Sequence, residues 1–131
     1  MSRSGYDYDG DTWAMVRWRG AVNSASKGKR GQAFFKELLE ALDAMPKKRL
    51  IADELQENGE FCVLGVLGNA RGMDMDKIDP HYPEQVSAEF GIACALAQEV
   101  VYMNDEGCYM TETPEVRWNR MRIWVEGQIT K

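Results

Sequence analysis

The stretch from Gln32 to Met45 constrains the fold more than any other part of the chain. Phe34, Phe35, Leu38, Leu39, Leu42 and Met45 recur at three- and four-residue spacing, and Pro46 follows at once. That spacing gives an α-helix with a wide apolar face, ended by proline, and such a face must be covered by other elements. The chain supplies them. Ahead of it, TWAMVRWRGAVNSA carries Ala14, Met15, Trp18, Ala21, Val22 and Ala25 in helical register, with Asp11-Thr12 as a plausible start. Arg17 and Arg19 fall off that stripe, towards solvent or a partner. SASKGKRG then interrupts the pattern with two glycines and three cations.

Downstream, PEQVSAEFGIACALAQEVVYMND reads as two helices joined at Phe90-Gly91. Val86, Phe90, Ile92, Leu96, Val100 and Met103 face inward, and Asn104-Asp105-Glu106-Gly107 stops the second helix. The last helix opens on Thr113 as N-cap, Pro114 at the first position and Glu115 in the first turn. Trp118, Met121, Trp124, Val125 and Ile129 form its stripe, with Arg117, Arg120 and Arg122 around it. Between Lys47 and Met73 two readings compete. Asn58-Gly59 between apolar runs is a strong hairpin signal. Leu50, Ile51 and Leu55 also suit a helical turn, and Gly65 and Gly68 would let another helix approach closely. Short helices are favoured, with the hairpin as the alternative. The expected fold is mainly α: a compact single-domain bundle of about five to six helices, with at most one short β-hairpin near residues 50–64. Residues 1–11 are expected to form a flexible N-terminal arm and residues 12–131 the single helical domain.

Composition removes several functions. No apolar run approaches the ~20 residues of a membrane-spanning helix. MSRSGYDYDGD lacks the apolar core of a secretory signal. Cys62, Cys94 and Cys108 are odd in number and irregularly spaced, which suits reduced thiols in the cytoplasm. There is no Cys-x-x-Cys pair, and His81 is the one histidine, in a proline-bounded loop. That leaves little for zinc or for a Cys–His or Ser–His dyad. Asp7, Asp9 and Asp11 open like a calcium loop, as do Asp74, Asp76 and Asp79. The twelfth position is Trp18 in one and Gln85 in the other, so both lack the closing carboxylate. No cofactor, metal or catalytic residue is expected. The Phe90-Gly91-Ile92 corner has the outline of a DNA-reading helix pair, but its second helix carries Glu99 and no cation, so a packed corner is the better reading.

Charge supplies the functional lead. Between Thr12 and Lys36 the chain has six cations (Arg17, Arg19, Lys27, Lys29, Arg30, Lys36) and no carboxylate. Residues 1–50 hold 10 Lys+Arg against 6 Asp+Glu, whereas residues 51–131 hold 6 against 15. A basic region on an acidic body favours a charged partner. Arg17, Arg19, Lys27, Lys29 and Arg30 are therefore the expected partner-binding residues. Arg117, Arg120 and Trp124, at helical spacing on the last helix, are a second candidate interface, since Arg and Trp are enriched in hot spots. Trp13 or Trp18 beside the cations would also suit stacking on a base, so direct nucleic-acid binding through segment 17–36 is the alternative.

Several blocks carry a resemblance: WRGAV at 18–22, GKRGQAF at 28–34, LDAMPKKRLIADEL at 42–55, CVLGVLGNARGMDM at 62–75, IDPHYPEQVSAEFGIA at 78–93, VVYMNDEG at 100–107 and ETPEVRWNRMRIWVE at 112–126. Together they span most of the chain. It resembles a group of small proteins encoded by bacteriophages and prophages of Gram-negative bacteria. The resemblance has no catalytic signature and assigns no functional residue. It implies an accessory protein in the cytoplasm of the host bacterial cell. Such a protein would bind a host protein or protein–nucleic-acid complex, as a counter-defence (anti-CRISPR-like) or host-takeover factor. No membrane partner is expected, and a homo-oligomer is compatible with the composition.

Overall fold

A computed structural model describes residues 3–4, 12–107 and 111–130. Among them are six α-helices and one two-stranded hairpin. Helix α1 spans Thr12–Lys27 and α2 Lys29–Ala44. Strands β1 (Gln56–Glu57) and β2 (Glu60–Phe61) follow, then α3 (Val63–Ala70), a 3₁₀ turn at Met75–Lys77, α4 (Pro83–Phe90), α5 (Cys94–Glu106) and α6 (Pro114–Gln128). The mainly helical bundle read from the periodicity is the fold observed.

Helix α2 is the axis. Its expected stripe is in place, with Phe34, Phe35, Leu38 and Leu42 buried and α3 and α6 packed on it. Phe35 meets Phe34 and Trp124 edge to face at 5.2 and 5.7 Å. Helix α3 is apolar on every side from Val63 to Gly68, all buried, as expected of a core helix. Gly65 and Gly68 do permit close approach, though not of a helix. A Cβ on Gly65 would overlap the Leu55 carbonyl, and one on Gly68 would lie 2.6 Å from Met75 Sδ.

Both readings of the middle segment hold in part. The hairpin forms antiparallel with Gln56 opposite Phe61 and Glu57 opposite Glu60. Asn58 and Gly59 both take positive φ (53° and 79°), which matches the right-handed twist of the strands. Leu50 and Ile51 are not helical: the Leu50 N–H donates to the Pro114 carbonyl and the Ile51 N–H to Phe61. The helix α4–α5 corner is as expected, with Gly91 left-handed at φ 71° and the axes 104° apart. At the start of α6 the Thr113 hydroxyl accepts the Val116 N–H at 3.2 Å.

Two helix ends and one helix face need correction. The break falls within SASKGKRG as expected but is shorter: α1 runs past Ala25 to Lys27 and α2 starts at Lys29, ahead of Gln32, so Gly28 alone separates them. Ala21 is exposed, so the inward face of α1 is Met15, Trp18, Val22, Ala25 and Ser26. The Asn104-Asp105-Glu106-Gly107 segment stops α5 as expected: Asn104 is fully buried inside the helix, which ends at Glu106 with Gly107 as cap.

Asn104 is the centre of a polar network. Its Oδ1 accepts the Val63 N–H at 3.0 Å, and its Nδ2 donates to the Ile51 carbonyl at 2.9 Å and to Asp105 Oδ1 at 2.8 Å. Asp105 also receives the Asp53 N–H and two nitrogens of Arg3, at 2.6 and 2.8 Å. Of the expected N-terminal arm, Arg3 and Ser4 lie among the described residues, and both are buried. Asp11, the expected cap of α1, lies outside them.

Candidate binding surface

The basic segment becomes the outer face of α1 and the corner where α1 meets α2. Three features make that corner tight. Gly28 is extended (φ −71°, ψ 166°) and donates its N–H to the Ser24 carbonyl. A Cβ on Gly31 would overlap the carbonyl of Ala25, so glycine is required where α2 folds back on α1. Gln32 is buried, donating to the Ser26 and Gln128 carbonyls at 2.7 and 2.8 Å and accepting the Thr130 N–H at 2.8 Å. Its amide ties the corner to the end of α6 and leaves no buried polar atom of its own unmet.

Lys27, Lys29 and Arg30 stand exposed around this rigid corner. Lys27 closes α1, where a cation suits the helix dipole. Lys29 and Arg30 open α2, where it does not. That first turn has no carboxylate, and Gly28 offers no side-chain cap. The N–H groups and two cations therefore reinforce one another as a positive spot, at the rim of a shallow depression of about 230 Å³ that Ile92 and Leu96 also line.

Further along α1, Trp13 (73% exposed), Val16 (56%) and Arg17 lie on the outer face. Gly20, Ala21 and Ser24 leave the helix smooth between them and the corner. Arg17 and Lys27 are ten positions apart on that face, about 15 Å at helical rise. Arg19 is placed differently. Its Nη1 donates to Glu99 Oε2 at 2.7 Å, and its guanidinium stacks on Trp18 at 5.2 Å. Glu99 is buried on α5, so Arg19 latches α1 to α5. Nothing local in the sequence joins two residues 80 positions apart.

The second candidate interface turns inward. Arg120 grips Glu112 through Nε and Nη2 at 3.0 and 2.6 Å and donates to the carbonyls of Met103 and Asn104. Arg117 donates to the Leu50 carbonyl at 3.0 Å, with Nε 3.1 Å from Glu112. Trp124 is half-buried on Phe35. The Arg120 hydrogen bonds hold the Glu112 carboxyl below its ordinary range despite burial. The outward face of α6 instead shows Val116 and Ile123, both exposed.

Other chemistry-bearing groups stay apart. Among the described residues no three His, Cys, Asp or Glu side chains converge as metal ligands. Asp76 accepts from Gln56, Asp79 accepts the His81 N–H, and Asp74 faces Lys77. The Asp7–Asp11 cluster and Cys108 lie outside the described residues. Cys62 and Cys94 are free thiols; Cys62 caps α3, and burial raises the Cys94 pKa. Among the described residues no single helix is long and apolar enough to cross a membrane. No protein-family model, curated protein or solved structure matches the chain.

Proposed function

We propose that this is a non-catalytic binding protein whose contact surface is the outer face of α1 continued by the α1–α2 corner. The partner is an acidic face of a host protein or protein–nucleic-acid complex that it modulates in the cytoplasm of a bacterial cell. The resemblance to phage-encoded proteins supports a counter-defence or host-takeover setting. One observation carries the reading: Lys29 and Arg30 lie where the α2 dipole disfavours them, with no carboxylate to offset the charge. Fold stability does not account for that placement, whereas attraction to an acidic partner does. Trp13 and Val16 add an apolar contact at the far end of the same face, the mixture of Trp and basic residues that hot spots favour.

The test compares the native protein with a Lys27/Lys29/Arg30→Glu variant and with Trp13→Ala, as baits in bacterial lysate. All four residues are exposed, so both variants should melt like the parent while losing its specific catch. Equal recovery by the parent and the triple variant would refute the assignment. Exposed Trp13 beside Arg17 also suits base stacking, so direct nucleic-acid binding is assayed in parallel. Oligonucleotide retention that falls with salt at about −0.9 per phosphate contacted would favour that reading.

A further inference from the structure

Gly20 stands in the middle of the sixteen-residue α1, where glycine is the least favourable residue apart from proline. The fold does not call for it. Its φ is not positive, and a Cβ built there would meet no atom within 4 Å. Gly31 differs, because a Cβ there would overlap the Ala25 carbonyl. Internal packing therefore accounts for Gly31 but not for Gly20. What remains for Gly20 is a close approach from outside the molecule.

The surroundings of Gly20 specify what approaches. At about 100° per residue, Gly20 and Ser24 fall on one line with Trp13, and Arg17 and Lys27 flank that line from either side. All five are exposed. Neither flanking cation, nor Lys29 and Arg30 at the corner, has an ion pair among the described residues. Helix α1 carries no carboxylate, and Glu99 of α5 is taken up by Arg19. The charge of this face is all of one sign, so its complement is acidic. Phosphates would meet these long side chains at their tips and need no gap beneath them. A body that fills the gap must bring its own backbone close to α1, as helices packed through small residues do.

We infer, on the reading of α1 as the contact surface, that the partner presents an acidic α-helix lying along α1 over Gly20 and Ser24. Its carboxylates face Arg17 and Lys27, so acids about ten positions apart on that helix would reach both.

Fluorescence anisotropy of the whole protein with three labelled probes tests it. They are a stapled, alanine-rich helical peptide of about 18 residues with glutamates along both edges of one face, its glutamine counterpart, and single-stranded DNA of about 20 nucleotides. The acidic peptide should bind roughly tenfold or more tightly than the glutamine peptide. Gly20→Leu should raise Tm by about 3 °C, since leucine favours the helix, yet weaken the acidic peptide by roughly tenfold or more. Ser24→Leu, one turn along, should weaken it likewise. If Lys27/Lys29/Arg30→Glu binds the peptide as the parent does, the contact surface itself is misassigned and this proposal falls with it. If that variant loses the peptide while Gly20→Leu and Ser24→Leu keep it, the surface stands and the helical occupant is refuted. DNA bound more tightly than the acidic peptide and unaffected by Gly20→Leu, or no binding at millimolar acidic peptide, would also overturn the proposal.

Discussion

Replacing Asn104 by Leu tests whether the polar network, rather than apolar contact alone, fastens α5 to the middle of the chain. The side chains are similar in size, so the change is chiefly one of hydrogen bonding. It leaves the Val63 N–H without its acceptor and the Ile51 carbonyl without its donor. An orphaned buried polar group costs about 1–3 kcal/mol. Two give roughly 2–6 kcal/mol, a large share of the ~5–15 kcal/mol a domain of this kind has. At about 4 °C per kcal/mol for this size, Tm should fall by roughly 8–24 °C. Urea and thermal unfolding followed by circular dichroism measure it. Asn104→Asp separates charge from volume, because it keeps an acceptor for Val63 but sets a second carboxylate beside Asp105 and the Ile51 carbonyl. Protonation relieves that contact, so its deficit should shrink as pH falls. An Asn104→Leu protein within about 1 kcal/mol of the parent would refute the reasoning.

Gly65→Ala should destabilise by about 1–3 kcal/mol in urea titrations, because the added methyl meets the Leu55 carbonyl rather than a movable side chain. Acid should weaken the fold through carboxylates held by arginine. Hydrogen bonds from Arg71, Arg122 and Arg120 lower the pKa values of Glu37, Asp43 and Glu112. Their stabilisation is complete above the ordinary carboxyl range and is lost as pH falls through the lowered folded values. The urea midpoint should therefore drop between neutral pH and about pH 2, and Glu112→Gln should flatten that drop.

The parts of the fold legible in the sequence are those with local causes. Pro46 ends α2, Thr113-Pro114 opens α6, and Asn58-Gly59 turns the hairpin, each through the backbone of its immediate neighbours. Leu50 and Ile51 escaped the periodicity because distant acceptors, the carbonyls of Pro114 and Phe61, bind their N–H groups, and the chain then bends through Asp53 at φ 71°. Helix α6 carries Val116 and Ile123 outward, yet its expected stripe faces inward, with Trp118, Met121 and Val125 buried. The cations of the candidate surface were legible as a cluster, but their roles were not. Arg19 is set apart from Arg17, Lys27, Lys29 and Arg30 by Glu99, contributed by a helix far along the chain.

The latch between Arg19 and Glu99 gives α1 an uneven hold on the rest of the molecule. Among its described side chains only Val22 and Ser26 are buried, whereas α2 buries six residues. Lifting α1 away would return the Glu99 carboxylate to water, recovering hydration lost when the two helices closed. Detachment of α1 should therefore cost less than opening α2, and its amide hydrogens should exchange ahead of those in α2. A partner that clasps the outer face of α1 would be registered first as a slowing of that exchange.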